Sequence, residues 1–288
     1  MKFFVIGGTG LLGQALNNEI IKRGYTCLTL ARKNADFSID ITDYSKIENI
    51  IEECKFDYVI NACAIINLGY CDNNYAEALK INSLPNYFLT QLSKKHSFKY
   101  IYISTDGYYK GDGNIKHNED FPVSIFNKYA ETKYLGEALT LYNDNSLVVR
   151  TNIVGIRNWG GKPTFFEWVL ESLKSGLEIN MFDDYYTSSI STFQFSKALI
   201  DLLSHNPRGL INIASSDVFT KKDFIVAVAK RFGYSLEKAN NAKLSQFGNV
   251  NRPDSLGLDT QKVESILGYK MPSLDEVVEQ LYKETYEI

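Results

Sequence analysis

Tyr129 and Lys133 stand four apart in Asn127-Lys128-Tyr129-Ala130-Glu131-Thr132-Lys133. On a helix that spacing puts both on one face, one turn apart. A phenol near pKa 10 is a poor acid or base at neutral pH, but a neighbouring ammonium favours its anion and brings it toward the working range. The pair therefore suits proton transfer at an oxygen, with the lysine also able to bond a ribose hydroxyl. Tyr-x-x-x-Lys arises easily by chance in a chain with 19 tyrosines, so the surroundings matter. Roughly one helix upstream, Ser104-Thr105-Asp106 closes a β-rich run. A Thr105 hydroxyl at the carboxyl edge of an open α/β sheet can donate to a substrate carbonyl. The alternative, three unrelated polar residues, is opposed by their order and context.

The elements that would position these groups alternate along the first half of the chain. Strands are expected at Phe3–Ile6, Cys27–Leu30, Tyr58–Asn61, Tyr100–Ser104 and Leu147–Arg150, and helices at Leu11–Lys22, Tyr44–Cys54, Tyr75–Lys94 and Lys128–Tyr142. Short β-rich runs alternating with helical periodicity are the pattern of βαβ units. Runs as apolar as these suit a parallel sheet covered on both faces. The expected fold class is α/β, a Rossmann-type doubly wound parallel sheet over residues 1–155. Residues 156–288 should form mainly a small C-terminal substrate-binding lobe, with some elements returning to the sheet. That part carries a turn at Trp159–Gly161, helices near Phe165–Lys174 and Ser196–Leu203, a strand at Gly209–Ile213 and three further helical stretches.

Directly after the first strand comes Gly7-Gly8-Thr9-Gly10-Leu11-Leu12-Gly13, opening a helix. In that context one glycine permits a tight turn, the next lets a pyrophosphate approach the backbone, and the third lets helix and strand pack closely. The free N–H groups and the positive helix end then hold phosphate; the bland alternative is an ordinary glycine-rich turn. At the end of the second strand, where a carboxylate would accept from the adenosine ribose, the sequence reads Leu30-Ala31-Arg32-Lys33. A cationic pair there suits a 2′-phosphate and favours NADP(H) over NAD(H). For Lys33 a solvated surface cation remains the competing reading.

Composition narrows the function classes. The chain has 288 residues, a formal net charge of −3 and four scattered cysteines, Cys27, Cys54, Cys63 and Cys71. That length can bury a substantial core without disulfides. No Lys/Arg run offers a nucleic-acid track, and no apolar stretch approaches membrane-spanning length. The expectation is a cytoplasmic protein that binds neither nucleic acid nor membrane and carries no metal.

These motifs together resemble the extended short-chain dehydrogenase/reductases, and most closely the dTDP-4-dehydrorhamnose reductase group of nucleotide-sugar enzymes. Gly7, Gly10 and Gly13 match the group's GxxGxxG. Thr105, Tyr129 and Lys133 match its Ser/Thr, Tyr, Lys triad, and Ser104-Thr105-Asp106-Gly107-Tyr108-Tyr109-Lys110-Gly111 is similar to its Ser-Thr-Asp-Tyr-Val-Phe-x-Gly. Val149-Arg150-Thr151, Phe182-Asp183-Asp184 and Arg252-Pro253-x-Ser255-x-x-Leu258-Asp259-x-x-Lys262 fall where the group has comparable segments. The resemblance implies a dinucleotide held by Gly7, Gly10, Leu11, Leu12, Gly13, Arg32 and Lys33. It implies Asp40 and Ile41 beside the adenine, although a helix-capping role for Asp40 competes. It also implies Ala62, Cys63 and Ala64 in a small-residue turn against the cofactor, Cys63 as a wall residue, and Ile153 near the nicotinamide. Tyr129 and Lys133 would touch both chemistry and cofactor, and Thr105, Asp106, Asn152 and Arg252 the nucleotide-diphosphate sugar; for Arg252 a surface arginine beside a turn is equally open.

What the resemblance implies is NADPH-dependent reduction of a keto group on an activated deoxysugar, within nucleotide-sugar metabolism and polysaccharide biosynthesis. Two departures bear on it. Thr151-Asn152-Ile153-Val154-Gly155 lacks the tryptophan that follows Arg-Thr in the rhamnose enzymes, so the sugar itself is not specified. Position 107 is Gly where the related 4,6-dehydratases carry glutamate, which disfavours dehydration. Epimerisation with tightly held NAD, and a non-catalytic regulatory subunit that binds dinucleotide, are the competing functions; a homodimer is the assembly left open.

Overall fold

Strands buried on both faces have no polar side to show, and Lys99–Ile103 is buried at every position. The computed structural model describes residues 1–157, 162–247 and 252–286. Its first elements are β1 (Lys2–Ile6), α1 (Leu11–Lys22), β2 (Thr26–Ala31), β3 (Phe37–Ser38), α2 (Tyr44–Cys54), β4 (Tyr58–Asn61), α3 (Leu68–Asn73), α4 (Tyr75–Asn82), α5 (Leu84–His96), β5 (Lys99–Ile103), α6 (Lys128–Leu141) and β6 (Leu147–Arg150). Then follow β7 (Ile153–Val154), α7 (Phe165–Lys174), β8 (Ile179–Phe182), β9 (Tyr186–Thr187), β10 (Ile190–Ser191), α8 (Thr192–Leu203), β11 (Gly209–Asn212), β12 (Phe219–Thr220), α9 (Lys221–Phe232), β13 (Ala239–Ala242), β14 (Ser255–Leu256), α10 (Gln261–Leu267) and α11 (Leu274–Tyr286). The seven-stranded parallel sheet runs β11-β6-β5-β4-β1-β2-β3. Chain order reverses on either side of β1 and β4, which makes the sheet doubly wound, as expected.

The chain divides into two compact units, one of residues 1–105, 125–150 and 196–211, the other of 106–124, 151–195 and 212–288. This division is finer than a single cut at 155, because 106–124 leaves the sheet after β5 and 196–211 comes back to it. The first unit's core gathers Phe4, Ile6, Val59, Tyr100, Tyr102 and Val148, with Phe4 stacked on Phe56 at 4.7 Å. The second has its own core of Val154, Phe166, Val169, Phe224, Val228, Val277 and Leu281. Capping boxes start α7 at Thr164 and α9 at Thr220, each satisfying orphan N–H groups of the first turn.

Two expectations need adjusting. The helix read as Tyr75–Lys94 is two helices, because Pro85 has no N–H to continue the ladder and its ring excludes the preceding turn; the chain restarts with proline in the first turn of α5. Phe37–Ser38 forms an edge strand beside Leu30–Ala31, too short for any period to reveal. The turn expected at Trp159–Gly161 lies outside the described residues. Among the described residues no helix is long and apolar enough to cross a membrane, and no cluster of three or more His, Cys, Asp or Glu is arranged to hold a metal ion.

The joint between β1 and α1 is the tightest contact bearing on a site. A Cβ at position 13 would lie 2.1 Å from the Gly7 carbonyl oxygen and 2.7 Å from Gly8 Cα, both backbone. Gly13→Ala should therefore cost about 1–3 kcal/mol of stability, read as a lower urea midpoint; an unchanged midpoint would show that the turn can move aside.

Candidate active site

The turn after β1 is held by the sheet itself. The Gly7 and Gly8 amides both donate to the Leu30 carbonyl, at 2.7 and 3.1 Å, and the Gly10 amide donates to Gly7 at 2.9 Å. Gly7 has φ +87° and a Cβ there would sit 2.9 Å from the Cys63 amide nitrogen, so glycine is required on both counts. Gly10 is the N-cap of α1 and brings no capping side chain, and the first turn contains no acidic residue. Its N–H groups and positive end are thereby left for an anion.

Beside this turn opens a cavity of about 580 Å³, lined by Gly7, Thr9, Gly10, Ala31, Arg32, Lys33, Ala62, Cys63 and Ala64. The volume falls in the range of cofactor and ligand sites, and the lining combines a helix N-terminus with exposed guanidinium and ammonium groups. These residues fit a dinucleotide carrying phosphates. Asn61, buried behind the lining, braces the turn that carries Cys63: its Oδ1 accepts from the Cys63 amide at 3.1 Å while its Nδ2 donates to Asn86 Oδ1 at 3.1 Å. Burial raises the Cys63 thiol above its usual range, which keeps it protonated and unreactive.

The structure thus brings Gly7, Gly10, Arg32, Lys33, Ala62, Cys63 and Ala64 to one cavity, and adds Thr9 and Ala31, which the glycine pattern did not single out. Leu11 begins α1, while Leu12 and Gly13 are buried within it. Asp40 and Ile41 are not among the lining residues. Asp40 Oδ1 accepts from the Thr42 amide and hydroxyl, at 3.0 and 2.7 Å, which holds its carboxyl below the usual range, and Ile41 packs into the core of the first unit.

Helix α6 starts with the Asn127 side chain accepting from the Ala130 amide at 2.9 Å. Its first turn is pinned further by Thr132, whose hydroxyl donates to the Tyr129 carbonyl at 2.8 Å and accepts from Asn82 Nδ2 at 3.0 Å. Tyr129 is half-buried. Lys133, one turn on, is 2% exposed; its ammonium donates to the Ile103 carbonyl at 2.8 Å and lies 4.1 Å from the centre of the Tyr102 ring. Burial pushes this lysine down to about 7, against the opposing charge of Glu137. Ser104 and Thr105, both buried, continue directly from Ile103 at the carboxyl end of β5.

In the second unit, buried Asp106 accepts from Asn152 Nδ2 at 2.7 Å, and Asn152 Oδ1 accepts from Ser189 Oγ at 2.7 Å. Ile153 pairs with Ile190 in the short ladder of β7 and β10. Arg252 is exposed and its charge acts on Tyr185, whose phenol is raised by burial first and by Asp106 second. Lys221, at the start of α9, holds its ammonium 4.1 Å from the Phe165 ring and 5.5 Å from that of Tyr185. Burial lowers it to about 8, with Asp106 pulling the other way. Lys221 carries no mark in the sequence, whereas Tyr185 directly follows the Phe182-Asp183-Asp184 segment; the fold brings the charge of Asp106 to bear on both.

A family model described as the RmlD substrate binding domain matches residues 1–287. The spore coat polysaccharide biosynthesis protein SpsK of Bacillus subtilis is 27% identical over 234 residues, 81% of this chain and 80% of its own. The probable low-salt glycan biosynthesis reductase Agl14 of Haloferax volcanii is 24% identical over 286 residues, 96% of this chain and 95% of its own. Among solved structures, a dTDP-4-dehydrorhamnose reductase from Bacillus anthracis str. Ames, in complex with NADP, superposes with a TM-score of 0.87 at 20% identity and covers 98% of both chains.

Lys133 gives the fold a pH signature. Its pKa of about 7 lies below the roughly 10.4 of an unfolded lysine, so between these values the unfolded chain binds a proton that the folded one does not, and stability rises with pH. Below pH 7 both states are protonated and the cost of burial is felt in full. Lys133→Met should accordingly be more stable than the wild type at pH 6, with an advantage that shrinks toward pH 9, as followed by urea midpoints; a difference independent of pH would show that the lysine titrates normally.

Proposed function

The chain belongs to the family of the RmlD substrate binding domain, and from that membership we propose that it reduces a keto group on a nucleotide-diphosphate deoxysugar with NADPH. The observation that carries the reading is the buried Lys133 ammonium one helical turn from Tyr129, beside the strand end that bears Thr105. Three properties support reduction in particular: this acid pair, a cavity lined by Arg32 and Lys33, and a relative and a solved neighbour that are both named as reductases.

The residues divide the chemistry among them. Gly7, Gly10, Leu11, Leu12 and Gly13, with Ala62, Cys63 and Ala64, would hold a dinucleotide, which when bound would supply the hydride for the carbonyl carbon. Arg32 and Lys33 would take the 2′-phosphate. Tyr129 gives its proton to the carbonyl oxygen, Thr105 donates a hydrogen bond to the same oxygen, and Lys133 holds the ribose while lowering the phenol's pKa. Asp106 and Asn152, already bonded to each other, orient sugar hydroxyls. Arg252, with a planar donor fork in solvent, suits the diphosphate. A cytoplasmic location follows from dependence on free NADPH.

Tyr129→Phe removes the proton donor and little else. It should lower kcat by about 10²–10⁴-fold with a dTDP-4-keto-6-deoxyhexose, while NADPH affinity by fluorescence stays near wild type; near-normal turnover would take the phenol out of this role. A wild type that binds NADPH yet oxidises none with any nucleotide-sugar ketone would move the protein to the regulatory class.

Cofactor choice separates reductase from epimerase. A charge-assisted contact to the 2′-phosphate is worth roughly 1.5–3 kcal/mol, so NADPH should bind at least about tenfold more tightly than NADH, with most of that preference lost in Arg32→Ala. Because both cations are exposed, added salt should shrink the preference. Copurification with NAD that does not exchange, and no effect of Arg32→Ala, would transfer the weight to epimerisation.

A further inference from the structure

Burying an ion pair is a poor way to gain stability, since desolvation of both charges consumes most of their attraction and apolar residues of similar volume often do as well. The first unit nevertheless buries Glu137 and Arg150 together, at 2% and 3% exposure. Arg150 donates through Nη2 to Glu137 Oε2 at 2.7 Å and through Nε to Oε1 at 3.0 Å. Ser104 Oγ donates to the same Oε1 at 2.6 Å. One carboxylate on α6 thus ties the end of β6 to the residue that follows β5.

That residue sits between two parts of the proposed machinery. Ile103 before it accepts the Lys133 ammonium, and Thr105 after it carries the hydroxyl. Glu137 also follows Lys133 by four positions on α6, the spacing at which side chains share a face. We propose that Glu137, held by Arg150 and Ser104, is a positioning residue that fixes the strand end Ile103–Thr105 and presents to Lys133 the negative charge favouring its protonated form.

The groups around Lys133 leave this task to Glu137. From β5 comes the Tyr102 phenol, which burial holds neutral well above its ordinary range. From the turn after β4 comes the Cys63 thiol, likewise raised by burial. Tyr129 precedes Lys133 on its own helix, and Arg150 on β6 directs its guanidinium to Glu137. Glu137 first and Cys63 second oppose the loss of the Lys133 proton, and burial keeps the Cys63 thiol protonated.

The inference rests on the reductase reading for its effect on turnover, but not for its effect on Lys133. The test is an NMR titration of the full chain labelled at lysine ¹³Cε, with the Lys133 signal identified by its loss in Lys133→Arg. In Glu137→Gln the Lys133 midpoint should fall by about one unit or more, and Glu137→Asp should restore much of it. If the single variant does not fold because the Arg150 charge stays in the interior without Glu137, Glu137→Gln with Arg150→Met removes both charges and should show a smaller fall in the same direction. With NADPH and a dTDP-4-keto-6-deoxyhexose, kcat at pH 7.5 should drop about tenfold per unit of that shift, with KM less affected, and the limb of the pH profile should move to lower pH. A folded variant whose Lys133 midpoint is unchanged overturns the proposal. A shifted midpoint in a protein that reduces no sugar ketone upholds it and overturns the reductase reading instead.

Discussion

An ammonium taken out of water must find compensation or lose its proton, and the seat of Lys133 on the Ile103 carbonyl is where this chain meets that constraint. The contact joins the middle of α6 to the carboxyl end of β5, so helix and strand cannot slide without stranding the lysine. Around it the polar groups are arranged in depth. Ser83 donates to the Thr132 carbonyl at 2.7 Å, Asn82 to the Thr132 hydroxyl, and Tyr102 to the Asn82 carbonyl at 2.9 Å. The first turn of α6, which carries Tyr129, is thereby held against the helices before it.

The cations of the first unit work in opposite physical regimes. Arg32 and Lys33 stand in solvent at the rim of a cavity, where attraction to a phosphate is available at little desolvation cost but is weakened by salt. Lys133 stands in the interior, where salt hardly reaches and the local dielectric decides its protonation. Like-charged side chains are thus set apart by their surroundings rather than by residue type. Glycine plays the complementary part: at positions 7 and 13 the absent Cβ is what lets β1, α1 and the turn after β4 close on one another.

The second unit satisfies its buried polar groups largely among themselves. Asp106, Asn152, Ser189 and Thr187 form a chain of side-chain hydrogen bonds ending in the 2.8 Å contact of Thr187 with Ser189. The segment 110–117 is tied to 254–257 by the Gly111 amide on Asp254, the Asp112 amide on Ser255 and the His117 amide on Gly257. His117 is stacked flat on Tyr109 with centroids 3.8 Å apart. Such a network specifies one arrangement of loops that carry few backbone ladders of their own.

Local chemistry made much of this protein legible in its sequence. The apolar runs at Phe3–Ile6 and Tyr58–Asn61 read as buried strands because they alternate with helical segments, and the three-residue glycine spacing after the first of them speaks for a phosphate turn because each glycine answers a backbone demand. The spacing of Tyr129 and Lys133 needed only the geometry of one helix. Tertiary structure decided what depends on separation along the chain: the departure of residues 106–124 from the sheet unit and the placement of Ile41 in the core. It also brought Glu137 to Arg150 across a helix and a strand, and Lys221 between Phe165 and Tyr185. None of these residues is unusual among its sequence neighbours, and a side chain's burial and partners, which set its charge, exist only once distant segments have packed.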